Sequence, residues 1–235
     1  MTGIVNINKP IGKTSHFAVA VIRRVTGIKK VGHTGTLDQL ATGVLPICIG
    51  REATKLSDII MQSKKQYRAV LRLGISTTTQ DSEGEVTSQR EVTCTEEDIH
   101  NVINDFVGDI MQVPPMYSAI KINGQKLYNL ARKGVTVERE PRQITIYGIE
   151  ITKVDLQSCE VELVVDCSKG TYIRTLCNDI GEALGCGGYM KSLTRTSCGG
   201  FSLDTSITLE EFERLWNEGR YEDILTSPEG YKSKL

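Results

Sequence analysis

Residues 65–74 of this chain, KQYRAVLRLG, put Tyr67, Ala69, Leu71 and Leu73 on one side and Arg68, Val70 and Arg72 on the other. A period of two in apolar character is the pattern of a strand with one buried face. Such a strand needs partners, and the sequence supplies several. Residues 120–127 centre on Asn123-Gly124, the dipeptide that most strongly signals a two-residue hairpin. Residues 143–154 and 159–167 predict two further strands, and another runs through Leu193. Residues 4–7 form a short strand stopped by Pro10 and Gly12, and residues 44–49 read as a buried one.

Helices are interleaved with these strands. Thr14 or Ser15 can cap one that carries Ala18, Val21, Ile22 and Val25 and closes at Gly27. A short helix follows to about Ile60, and a brief one runs to Arg132. Thr95 with Asp98 forms a capping-box pattern before Ile99, Val102, Ile103 and Phe106. Thr171 is the expected cap of a helix bearing Ile173, Leu176, Cys177, Ile180 and Leu184, ended by Gly185. Thr208 with Glu211 opens a last helix carrying Phe212, Leu215 and Trp216. Strands and helices mix without a regular βαβ period. The expected class is therefore α+β: a mixed, mainly antiparallel sheet with flanking helices, in a single domain over residues 1–235.

At 235 residues and 39% hydrophobic content, the core needs no covalent staples. The seven cysteines include no C-x-x-C pair and read as reduced thiols of a cytoplasmic protein. His16, His33 and His100 lie far apart in sequence, so no metal site is expected. The N-terminus lacks the features of a signal peptide, and no apolar run reaches the ~20 residues that span a bilayer. Net charge is −1, yet residues 1–75 carry 12 Lys and Arg against 3 Asp and Glu. A basic half beside an acidic half suggests a face for a polyanion. Residues 204–229, with 8 acids and 2 bases, are a poor grip for a phosphate backbone.

Residues 29–43 hold Gly32, Gly35 and Gly43 among small polar residues and read as a loop. It lacks the Gly-Lys-Ser/Thr ending of a phosphate loop. It contains one carboxylate, Asp38. On residue types alone, a turn aspartate capping backbone amides is the plainer account.

The stretch VGHTGTLDQLATGVLP at 31–46 closely resembles the signature of bacterial tRNA pseudouridine-55 synthases, the TruB family. Four more stretches resemble that family in the same order. They are NKPIGKTS at 8–15; KQYR at 65–68 with Leu73-Gly74 and Asp81; VPPMYSAIK at 113–121 through Ala131-Arg132; and GTYIRT at 170–175 with LTRT at 193–196. The resemblance spans residues 3–225. It implies a cofactor-free isomerase that converts the T-loop uridine of tRNA to its C-glycoside. The base must first be flipped out of its stack, at a cost of a few kcal/mol.

By the same resemblance, Asp38 is the catalytic carboxylate, acting at C1′ or on the 2′ proton. Arg174 is the arginine that pairs with it and fixes its direction. Tyr67 stacks on the flipped base, a contact worth about 1–3 kcal/mol. Tyr172 and Leu193 line the uracil pocket, Asp81 lies near the base, and His33 contacts the RNA. His16 and His100 are expected on helix surfaces. Lys9, Lys64, Lys65, Arg68 and Lys121 are phosphate-contact candidates by charge and position. The expected partner is the T-arm stem-loop of tRNA, with a monomeric enzyme, no obligate protein partner and no membrane.

Two positions depart from the family pattern. Gln39 stands where proline is usual, which implies a looser Asp38, because proline restricts the residue before it. Thr78 stands where aspartate is common. The family's usual C-terminal RNA-binding domain is expected to be missing, and weaker tRNA binding with it. These departures keep open a non-catalytic tRNA-folding chaperone on the same scaffold. A synthase for a guide-directed or ribosomal RNA target is the third alternative.

Overall fold

The structure, a computed structural model, describes residues 1–122 and 124–233. The first half of the chain runs β1 (Gly3–Lys9), α1 (Ser15–Thr26), β2 (Val31–His33), β3 (Thr42–Ile49), α2 (Arg51–Thr54), α3 (Ser57–Gln62), β4 (Lys65–Leu73), β5 (Ile75–Thr77), β6 (Val86–Gln89), α4 (Glu96–Asn104) and β7 (Gly108–Gln112). The second half runs β8 (Lys121–Ile122), β9 (Gln125–Lys126), α5 (Leu127–Ala131), β10 (Arg142–Asp155), β11 (Glu160–Cys167), α6 (Ile173–Ala183), β12 (Gly188–Cys198), β13 (Phe201–Ser202), α7 (Leu209–Asn217), α8 (Tyr221–Ile224) and α9 (Pro228–Lys232). The strands are mostly antiparallel and the class is α+β, as the hairpin signals predict.

Two compact units emerge, residues 1–68 with 193–235, and residues 69–192. The chain passes between them inside β4 and inside β12. In the first unit β3 is the central strand. β1 runs antiparallel along its full length, from Gly3 opposite Ile49 to Lys9 opposite Gly43. β2 pairs with β3 at Ile47 to Ile49, and β12 pairs with it in parallel at Thr42 and Gly43. Between these two contacts runs the loop 34–41. Val44 and Pro46 lie in the gap, and proline has no N–H to offer a neighbour. Their carbonyls are used all the same. Pro46 O accepts from both Thr34 N and Thr34 Oγ1 at 3.1 Å, and Val44 O accepts from Arg195 Nε at 2.7 Å. The apolar core beneath holds Ile4, Val44, Cys48, Leu56, Ile60 and Tyr231, whose ring stacks on Phe201 at 5.6 Å.

The second unit orders its strands β4-β11-β10-β7. Burial along β4 alternates as expected through Tyr67, Ala69, Leu71 and Leu73. Ile99 and Ile103 of α4 and Leu176 and Ile180 of α6 are fully buried or nearly so. The hairpin β8–β9 pairs Lys121 with Lys126, as the Asn-Gly signal predicts, although Asn123 itself lies outside the described residues.

Helix signals hold at three starts. Thr14 accepts from Phe17 N, Thr95 and Asp98 form a reciprocal capping box, and Thr208 accepts from Glu211 N. The fourth expectation fails. Tyr172, not Thr171, is the N-cap of α6, and Thr171 Oγ1 instead donates to Ser168 O at 3.0 Å. The buried side of α1 also differs: it holds Ser15, Ala18, Val19 and Ile22. Ser15 is drawn inward because its hydroxyl holds the loop 34–41.

Gly43 shows how tight the β3–β12 contact is. Its φ is +100°, and an added Cβ would lie 2.3 Å from Arg195 O. Gly27 has φ +70° with nothing within 4 Å of an added Cβ. Gly27→Ala should therefore cost only the left-handed backbone term, about 1–2 kcal/mol. Gly43→Ala should cost at least ~3 kcal/mol, because backbone must move. Urea unfolding of the two variants checks the ranking.

Candidate active site

Asp38 sits half-buried at the crown of the loop between β2 and β3. The residues around it are held one by one. Leu37 is held at both backbone groups: its N–H donates to Ser15 Oγ at 2.9 Å, and Ser15 Oγ donates to Leu37 O at 3.2 Å. Asp38 O accepts from Ala41 N at 3.1 Å, closing a turn. Gln39 O accepts from Gly12 N at 2.9 Å, and Gln39 Nε2 donates to Gly12 O at 3.2 Å. Gln39 is thus tied at both its backbone and its side chain. The sequence implies a looser carboxylate at this position; the fold adds a noncovalent restraint there that proline could not make through its side chain.

Lys9 reaches the same loop. It is 0% exposed, and its Nζ donates to Pro10 O at 2.9 Å, Lys13 O at 2.6 Å and Gln39 O at 3.4 Å. Lys65 is also buried and donates to Met61 O and Ser63 O, both at 2.7 Å. Both ammonium groups donate to chain carbonyls inside the unit. Lys64 and Arg68 also lie on the first unit, Arg68 with its side exposed.

His33 stands at the end of β2. Its ring meets His16 edge-on at 5.2 Å, so exposed His16 is more than a surface residue. His33 Nδ1 accepts from Gly35 N at 3.3 Å. Burial, then the charges of His16 and Arg195, push its pKa down to about 4. Protonation would turn Nδ1 from acceptor to donor and break the bond to Gly35. Tyr67 and Leu193 are both buried, at 7% exposure each.

The second unit carries another cluster of the expected residues. Asp81 and Arg174 are 2% and 5% exposed and form an ion pair, Nη1 to Oδ2, at 3.5 Å. Asp81 Oδ1 accepts from Thr79 Oγ1 at 2.5 Å and from Glu83 N at 3.0 Å. Arg174 Nη2 donates to Tyr117 O at 2.6 Å, and its guanidinium lies 5.8 Å from the Tyr172 ring centre. Buried charges of this kind stand only when their hydrogen-bonding capacity is used. Tyr172 itself is gripped by Gln112. Tyr172 N donates to Gln112 Oε1 at 2.9 Å, and Gln112 Nε2 donates to Tyr172 O at 3.1 Å. Gln112 thereby does for the start of α6 what a capping side chain would do.

Lys121 lies on an exposed groove of about 710 Å³, with Lys126, Tyr128, Arg132 and Lys133. Lys126 and Arg132 lie 5.4 and 5.6 Å from the Tyr128 ring centre. Lys121 opposite Lys126 across a hairpin is an unfavourable like-charge pair on its own.

Ser15, Gln112, Thr79, Tyr117 and Arg195 were not legible as site residues. Ser15, Tyr117 and Arg195 do fall inside stretches of the TruB resemblance, which is the one signal that could have flagged them.

The model for the TruB family pseudouridylate synthase N-terminal domain matches residues 23–173, and that for the tRNA pseudouridylate synthase B C-terminal domain matches 174–227. The chain belongs to the TruB family. The tRNA pseudouridine synthase B of Alkaliphilus oremlandii is 56% identical over 96% of this chain and 73% of its own length. That of Clostridium tetani is 52% identical over 100% of this chain and 79% of its own. Among solved structures, a Cbf5-Nop10-Gar1 complex aligns with TM-score 0.76 and 31% identity, over 97% of this chain and 61% of the solved one.

The pH dependence of stability follows from His33. As pH falls below about 6.5 the unfolded chain takes up a proton there, while the folded chain resists until about 4. Folding stability is therefore lost as pH falls through that window. His33→Asn should flatten this slope, as read from urea midpoints across the same range.

Proposed function

We infer that this chain is a tRNA pseudouridine synthase, an isomerase that converts the T-loop uridine, position 55, to its C-glycoside. In this reaction the N1–C1′ bond breaks and a C5–C1′ bond forms. C5 loses its proton and N1 gains one, so no electrons enter or leave. Asp38 is the carboxylate that acts on the sugar. The observation that supports it most is the restraint around Asp38: Leu37 on one side and Gln39 on the other are each tied by more than one hydrogen bond. A group held in one direction before substrate arrives needs no reorganisation during reaction.

Tyr67 is proposed to stack on the base, with Leu193 as an apolar wall, and His33 to contact the RNA as a neutral imidazole. In the other unit, Tyr172 is proposed to line the uracil pocket, Asp81 to lie near the base, and Arg174 to be the arginine that the family resemblance gives to the catalytic carboxylate. The groove of Lys121, Lys126, Arg132 and Lys133 suits a phosphate backbone, which would relieve the like-charge pairing within it. The relatives at 52–56% identity are named tRNA pseudouridine synthase B, which favours tRNA over a guide-directed target. The enzyme is proposed to act as a monomer in the cytoplasm. Among the described residues no helix is long and apolar enough to cross a membrane.

Tritium release from a tRNA transcript labelled at uridine C5 tests the assignment. The native chain should release label from the T-loop uridine, and Asp38→Asn should lower the rate about a thousandfold or more while still binding tRNA. Turnover that survives in Asp38→Asn would remove the carboxylate role. Binding without release by either chain would leave a non-catalytic tRNA binder.

A further inference from the structure

Arg195 is the largest side chain that is fully buried in the described structure, at 1% exposure. A charged group in that position is expensive unless its N–H groups find acceptors. Its guanidinium reaches two carbonyls at opposite ends of one loop. Nε donates to Val44 O at 2.7 Å, on β3, and Nη2 donates to Gly35 O at 3.3 Å, where the loop leaves β2. The nine residues from 35 to 43 that carry Asp38 begin at one contact and end beside the other. The backbone has been shaped to allow this. Gly35 has φ +139°, an added Cβ there would come within 3.7 Å of Arg195 Nη1, and Gly43 packs directly on the Arg195 backbone.

We propose that Arg195 is a positioning residue for the reaction, a planar fork that closes the base of the Asp38 loop by joining the Gly35 carbonyl, near its start, to β3. Nothing in this role requires it to touch RNA. It works on the chemistry through where Asp38 points, and so it rests on the reading of Asp38 as the catalytic carboxylate. An ammonium cannot replace it. Lysine is a point charge with rotating donors, whereas the guanidinium holds its N–H groups in one plane at fixed angles. Arg195→Lys keeps a positive charge in the same pocket but loses the two-point span. The same guanidinium also lies close enough to His33 to help keep that imidazole neutral, so the charge and the fork can be separated by experiment.

The test compares Arg195→Lys, Arg195→Met and Asp38→Asn in the full chain. Single-turnover tritium release gives the chemical rate, filter binding gives the tRNA Kd, and NMR of the His33 ring gives its titration. Arg195→Lys should slow the chemical rate roughly 10- to 100-fold with Kd within about twofold of native, and His33 should remain neutral as in the native chain. Arg195→Met should slow the rate at least as much and let His33 titrate at higher pH. If Arg195→Met does not fold, Arg195→Lys alone decides. A native rate in Arg195→Lys overturns the proposal. So does a loss in which rate, tRNA affinity and melting temperature all decline together, since that is the mark of a purely structural residue. Asp38→Asn separates the two readings. If it stays active, the Asp38 assignment fails; if it is inactive while Arg195→Lys is fully active, only the positioning role fails.

Discussion

A buried guanidinium leaves a protein little choice about its surroundings. Arg195 must have acceptors, and it finds them in Val44 O, on β3 between the stretches that pair with β12 and β2, and in Gly35 O of the loop. Removing one partner from such a site leaves a buried donor or acceptor unsatisfied, at about 1–3 kcal/mol each. The rest of the first unit follows from meeting that demand. Gly43 has no side chain so that β12 can approach. Pro46 surrenders an N–H on the same strand, and Thr34 takes its carbonyl twice. Ser15 turns inward from α1 to hold Leu37. Lys9 crosses from β1 to Gln39. A loop that would ordinarily be mobile is instead tied to β1, α1, β3 and β12.

The second unit solves a related problem with an ion pair in place of a lone cation. Arg174 and Asp81 form an ion pair, Arg174 also donates to Tyr117 O, and Asp81 also accepts from Thr79 Oγ1 and Glu83 N. Gln112 supplies both a donor and an acceptor to Tyr172, fixing the point where α6 begins. In both units, side chains of long sequence separation restrain short stretches of backbone next to the proposed functional residues. Ion pairs at the surface, such as Arg24–Glu213 or Lys55–Glu52, lie far from this pattern and contribute little to it.

What could be read from the chain without its structure was local. The alternation of β4 depends only on neighbours two residues apart, and it held from Tyr67 to Leu73. Thr95 and Asp98 cap α4 through residues three apart, and they held too. Thr171 failed because its competitor, Gln112, lies 60 residues away and belongs to a strand. For Lys9 and Lys65 the sequence shows charge but not that the fold buries both and turns carbonyls toward them. The looseness implied by Gln39 overlooked Gly12, whose N–H and carbonyl meet it from across a turn. Asp38, Tyr67 and Arg174 came into view through motif resemblance, since a lone aspartate in a glycine-rich loop has a plainer explanation as a turn former.

The central claim is that the loop carrying Asp38 is rigid before any RNA binds. Amide hydrogen exchange of the chain alone tests it most directly, because the N–H groups of Gly35, Leu37 and Ala41 all have named acceptors. The account predicts that these three amides exchange as slowly as those of β3, opening only with the unit that surrounds them. Exchange at the rate of an unprotected loop, with β3 still protected, would contradict it.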